Sequence, residues 1–121
     1  MTTKYAPITD EDEWFIGCHR IFEFQVFNED GSVRDISSWG IQWMLRQSPR
    51  SSEAFITKTT GSGIEITDGV NGLFRVTVSA EDTLLITPGE GEYWHSAKRT
   101  DADVEDVLVY GEAKIRYAAT R

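Results

Sequence analysis

Few side chains in this chain have the type and spacing that chemistry demands. Gly61-Ser62-Gly63 sets a serine between two glycines. A nucleophile elbow needs a serine flanked at two-residue spacing by glycines between a strand and a helix, and here both flanking runs read as strands, so Ser62 belongs to a turn. Cys18 and His19 are adjacent. Neighbours in a strand point to opposite faces, which prevents a thiol–imidazole pair between them and leaves Cys18 as a small core residue. His95 has no nucleophile signalled beside it and reads as a buried, hydrogen-bonded imidazole or a surface residue rather than a catalytic base. Asp101, Asp103 and Asp106 lack the register of a calcium loop, and the run Asp10-Glu11-Asp12-Glu13 matches no metal spacing. Both acidic groups are expected to be solvated, the run being suited to steer a basic partner. No phosphate-cradling or dinucleotide-binding glycine pattern occurs. The expectation is a protein that is not an enzyme, with no catalytic residue, no cofactor and no metal.

Composition narrows the partners. Of 121 residues, 12 are Lys or Arg and 20 are Asp or Glu, for a formal net charge of -8. Nucleic acid and anionic membrane surfaces both need a basic field, so neither is an expected partner. The single cysteine cannot form an internal bridge, and packing must hold the fold. No window reaches the 18 or so apolar residues of a membrane span, and no signal-peptide stretch opens the sequence, which points to synthesis in a reducing cytoplasm.

The elements that would position any site repeat with period two. Phe22, Phe24 and Val26 alternate with Glu23 and Gln25; Ile41, Trp43 and Leu45 with Gln42, Met44 and Arg46; Phe74, Val76 and Val78 with Arg75, Thr77 and Ser79; and Val107, Val109, Ala113, Ile115 and Tyr117 share a parity opposite to Tyr110, Glu112, Lys114 and Arg116. Such alternation predicts half-buried strands at about 18–27, 41–46, 54–60, 64–67, 74–78, 92–99 and 107–117. The 54–60 and 64–67 runs form a hairpin or a kinked pair around Gly61-Ser62-Gly63. Asp30-Gly31 and Asp68 to Gly72 supply turns, and Ser79-Ala80-Glu81-Asp82 has the capping pattern of a short helix. About seven antiparallel strands with one short helical crossing predict an all-β, immunoglobulin-like sandwich, with a closed barrel as the alternative. Residues 18–121 form the single sandwich domain; residues 1–17 stand apart as an N-terminal arm or peripheral strand.

Trp43 shares its parity with Ile41 and Leu45 and is expected in the core. Trp94 shares its parity with Ser96 and Lys98, while Trp14, Phe15 and Ile16 cluster in the arm. Trp14, Phe15, Ile16 and Trp94 are therefore the interface candidates. Tyr93, after the turn at Pro88 to Gly91, fits a tyrosine-corner hydrogen bond.

The order and punctuation of the chain carry a resemblance. The run IFEFQVFNEDGSVRDISSWGIQWMLR, then IEITDGVNGLFRVTVSAEDTLLITPGEGEYWHSAKRTD, then VLVYGEAKIRY resembles small β-sandwich modules of tailed-bacteriophage virions, similar to the immunoglobulin-like N-terminal domain of phage baseplate upper proteins. That resemblance implies a structural role in a virion assembled in the host cytoplasm, with other virion proteins or further copies of itself as partners, as in capsid decoration or a tail or baseplate adaptor. A carbohydrate or host-surface binding module is the second reading, since sandwiches can present Trp and Tyr to sugars.

Overall fold

Alternation sets the architecture of the computed structural model, which describes residues 3–87, 90–101 and 106–117. In β3 (Ile41–Arg46), Ile41, Trp43 and Leu45 are at most 1% exposed, while Gln42, Met44 and Arg46 stay half-buried on the other face. The same rule orders β2 (Arg20–Gln25), β4 (Ala54–Thr60), β5 (Gly63–Asp68), β6 (Leu73–Val78), β7 (Gly91–Arg99) and β8 (Val107–Ile115), because successive side chains of a strand leave opposite faces. One end of β2 differs from the sequence reading. It begins at Arg20, so Cys18 lies exposed in the approach to the strand and is not a core residue.

An eighth strand, β1 (Lys4–Tyr5), runs parallel to β8. The hydrogen-bonded order is β1-β8-β7-β3-β4-β5-β6-β2. Among the described residues every ladder is antiparallel except two short parallel pairings, β1 with β8 and β4 with β5. At the second of these, Gly61 and Gly63 take φ of 86° and 101° and carry the chain from a front layer, β1-β8-β7-β3-β4, into a back layer, β5-β6-β2. Left-handed backbone of this kind favours glycine, which is why the run alternating through residues 54–67 breaks there. Facing side chains close the two layers: the Phe24 ring of β2 stacks on His95 of β7 at 5.6 Å. The end strands β1 and β2 share no ladder, so the sheet is open and not a barrel.

β8, β7, β3 and β4 on one layer opposite β6, β2 and β5, with a buried tryptophan on β3 and a helical crossing before β7, make this an immunoglobulin-like β-sandwich. The crossing is α1 (Ala80–Thr83), closed by a reciprocal cap in which the Asp82 N–H donates to Ser79 Oγ and the Ser79 N–H donates to the Asp82 carboxylate. Satisfying two otherwise orphaned donors lets four residues hold a helical turn.

The N-terminal segment is part of the front layer. Ala6 N–H donates to the Tyr110 carbonyl at 2.8 Å, Ile8 N–H to the Glu112 carbonyl at 2.8 Å and Ile16 N–H to the Arg116 carbonyl at 2.8 Å. Trp14 and Ile16, expected to anchor a partner, are 1% and 8% exposed, and the Trp14 ring meets Phe22 edge-on at 5.2 Å. Phe15 is half-buried and bridges Arg116. The physical reason for this correction is that β8 and β2 offer the trio an apolar cover inside the chain, and burial there removes the exposed patch that a partner was expected to hide. Two of the four consecutive acids are engaged as well: Asp12 accepts from the Thr9 N–H at 2.7 Å and Asp10 pairs with Arg116 at 2.7 Å. Gly111 makes the close approach possible, because a Cβ at that position would stand 2.9 Å from the Pro7 backbone.

Candidate functional site

The inward parity of β7 and β3 builds the core and the outward parity builds a face. Inside, His95 is fully buried. The indole N–H of Trp43 can only donate, so His95 Nδ1 accepts it at 3.2 Å and Nε2–H donates to the Ala6 carbonyl at 2.6 Å. Burial holds the imidazole pKa below its ordinary value, against the opposing pull of the Ala6 carbonyl. With both nitrogens committed and no access to solvent, His95 is a structural pin between the core and the N-terminal segment. It is not a base.

Outside, register fixes which side chains lie abreast. Trp94 of β7 stands between Glu112 of β8 and Arg46 of β3; one step along, Ser96 stands between Tyr110 and Met44. Tyr5 of β1 lies beside Tyr110, with ring centroids 5.5 Å apart, and Tyr110 lies 5.7 Å from Trp94 at an interplanar angle of 34°. Tyr5 donates its hydroxyl to the Glu112 carboxylate. That bond holds the Glu112 pKa below its ordinary value and pushes the Tyr5 pKa up. Arg46 Nη2 donates to Met44 Sδ at 3.1 Å. Trp94, Tyr110, Ser96, Met44, Arg46 and Glu112 are all half-buried, whereas Tyr5 is 52% exposed. Three cations, Arg46, Lys98 and Lys114, stand on this face beside two carboxylates, Glu92 and Glu112, in a chain of net charge -8. The excess of acid lies elsewhere on the surface.

Of the four interface candidates, the structure leaves Trp94 on an outer face and places Trp14 and Ile16 in the core. The trio does not join Trp94. The sequence alone does not bring Tyr5, Tyr110 and Met44 to Trp94: alternation gives Tyr110 and Met44 the outward parity, but the order in which β8, β7 and β3 pair is not written in any one strand. The Tyr93 ring is buried and meets Phe55 edge-on at 5.5 Å; residues 88 and 89 of the turn that a tyrosine corner would join lie outside the described residues, as does Asp103.

The other chemistry-bearing groups stay apart. Ser62 is exposed in its turn. Asp101 pairs with Arg99 at 2.8 Å. A cleft of about 420 Å³ between the β1 segment and β2 is lined by Lys4, Ile8, Asp12, Arg20, Glu23 and Phe24 among others, with no serine, threonine, cysteine or histidine in its lining. Among the described residues no group of three or more His, Cys, Asp or Glu side chains could hold a metal ion, and no helix is long and apolar enough to cross a membrane. What the outer face can do chemically is bury aromatic and thioether surface and place charges of both signs around it.

No protein-family model and no curated protein sequence matches this chain. Among solved structures the chain is similar to the NK cell receptor Nkp44, a triggering partner in natural cytotoxicity, at 12% identity and a TM-score of 0.43, with 95% of this chain and 99% of that chain covered.

Proposed function

We propose that this chain is a non-enzymatic structural protein of a tailed-bacteriophage virion, assembled in the host cytoplasm, that binds virion proteins through the outer face of its front layer. The observation that carries a binding role is the Trp94–Tyr110–Tyr5 aromatic run with Met44, flanked by Arg46 and Glu112. Aromatic residues, Met and Arg are the types enriched where proteins meet. The virion setting is supported by the strand and turn order that the sequence shares with small phage sandwich modules; capsid decoration and a tail or baseplate adaptor are its two forms. A carbohydrate-binding role fits the geometry less well, because Trp94 and Tyr110 are half-buried and tilted 34° to one another and so offer no single open plane for a sugar ring.

The test is particle assembly with Trp94→Ser in place of the native chain. Incorporation should fall about tenfold or more, as for removal of an interface hot spot, with the β content of the isolated protein, read by circular dichroism, unchanged. Normal incorporation would refute this interface. Specific binding on a glycan array, lost in Trp94→Ser, would overturn the structural reading in favour of a sugar-binding one.

A further inference from the structure

We infer that the occupant of this outer face is a second copy of the same chain, related by a two-fold axis running along β7. This rests on the reading of the face as an interface and names the partner. An isologous contact requires a self-complementary patch, in which residue i meets residue j and j meets i. For two sheets laid face to face about an axis along their central strand, each side chain on that strand meets its own copy, and each side chain on the left flank meets its neighbour from the right flank of the other sheet. β7 is that central strand, with β8 on one side and β3 on the other.

Register then fixes the pairs. Glu112 and Arg46 flank Trp94 at the same level, so each Glu112 carboxylate faces the second copy's Arg46 guanidinium, twice by symmetry. Tyr110 and Met44 flank Ser96 at the next level, so each phenol ring faces the second copy's thioether, a favourable sulfur–aromatic contact. Trp94 packs on its own copy at the centre, and the small Ser96 lets the two sheets approach. Acid opposite base and ring opposite sulfur, at equivalent distances on both sides of one strand, is the pattern that self-pairing requires.

Charge selects the same face. With net charge -8, two copies repel through most orientations, whereas this face carries three cations and two carboxylates and meets itself near neutrality. Size is compatible with a modest interface. The strands run from the two residues of β1 to the nine of β7 and β8, and at about 4.8 Å by 3.3 Å per residue they give a face on the order of 500 Å², below the roughly 800 Å² that each partner contributes to a standard interface and in the range of a weaker, concentration-dependent pair.

Sedimentation of the purified full chain across a range of concentrations tests this. The native protein should be a dimer. Arg46→Glu sets two carboxylates against each other across the axis and Glu112→Arg sets two guanidiniums, so each single variant should dissociate about tenfold or more readily. Because misfolding could mimic that loss, two rescues decide: mixing the two single variants should give a heterodimer, and the double variant Arg46→Glu with Glu112→Arg should dimerise again. A native chain that stays monomeric, or a dimer indifferent to both single changes, overturns the proposal. A monomeric native chain whose Trp94→Ser variant still loses particle incorporation overturns the self-pairing alone and leaves the interface reading standing; if Trp94→Ser is incorporated normally as well, both fall.

Discussion

Replacing His95 by phenylalanine isolates the central polar contact of the core. The phenyl ring preserves the stack on Phe24 at 5.6 Å but removes both hydrogen bonds, leaving the Trp43 indole N–H and the Ala6 carbonyl without the partners they have at 3.2 and 2.6 Å. Each orphaned buried group costs about 1–3 kcal/mol, so the variant should lose about 2–6 kcal/mol. At about 4 °C per kcal/mol for a chain of this size, melting should fall by about 8–24 °C. A pH signature accompanies the loss. Burial lowers the folded pKa of His95 from 6.5, so below pH 6.5 the unfolded chain binds a proton that the folded chain refuses. The stability tied to neutral His95 is therefore complete above 6.5 and falls as the pH drops towards the folded value. The assay is urea unfolding followed by tryptophan fluorescence from pH 8 to pH 5, for the native chain, His95→Phe, Trp43→Phe and the double variant. The native chain should weaken across the lower half of that range more steeply than His95→Phe does. The double variant should cost less than the sum of the singles by about 1 kcal/mol or more, since each single orphans the other's partner. Equal pH slopes together with additive losses would refute the account of His95 as a neutral pin.

Three further outcomes follow from the packing. A chain beginning at Gly17 lacks Ile8, Trp14 and Ile16, each worth about 1.5–3 kcal/mol of burial against a typical total of about 5–15 kcal/mol, so calorimetry should show a melting transition lowered by more than about 15 °C or lost; a native-like transition would show that the segment is dispensable. Gly111→Ala places a methyl 2.9 Å from the Pro7 backbone and should cost about 1–3 kcal/mol by overpacking, read as a shift in the urea midpoint, and an unchanged midpoint would mean that the N-terminal segment is not held against β8. Reducing agent should leave the melting temperature unaltered, because the sole cysteine, Cys18, is exposed and cannot bridge within the chain; a drop on reduction would reveal a covalent link between copies that contributes to stability.

Period-two alternation carried most of the architecture because it reports directly which face of a strand is buried. The runs around Phe22, Trp43, Val76 and Ile115 each landed inward, and the Ser79–Asp82 cap produced the short helix it signals. What escaped the sequence is what depends on tertiary neighbours. Trp14, Phe15 and Ile16 show no alternation, and whether their cover is the chain's own β8 or another protein is a property of the folded surface. β1 is two residues long, too short for any periodicity, and is fixed by its partner Val109–Tyr110. The candidate face was half legible: parity sent Trp94, Tyr110 and Met44 outward, but only the order β8-β7-β3 makes them neighbours.

The parallel pairing of the first strand with the last has a mechanical consequence. Traction applied between the start of β1 and the end of β8 acts along the strands in opposite directions, because parallel strands start at the same end. The backbone bonds from Ala6 to Tyr110, Ile8 to Glu112, Lys114 to Ile8, Ile16 to Arg116 and Arg116 to Trp14 are then sheared together instead of being unzipped one after another. An antiparallel terminal pair would present its bonds singly to the same pull. Held by its two ends, this sandwich resists in the direction where its longest-range contacts act in concert, so its lifetime under tension is governed by the rate of that one collective rupture.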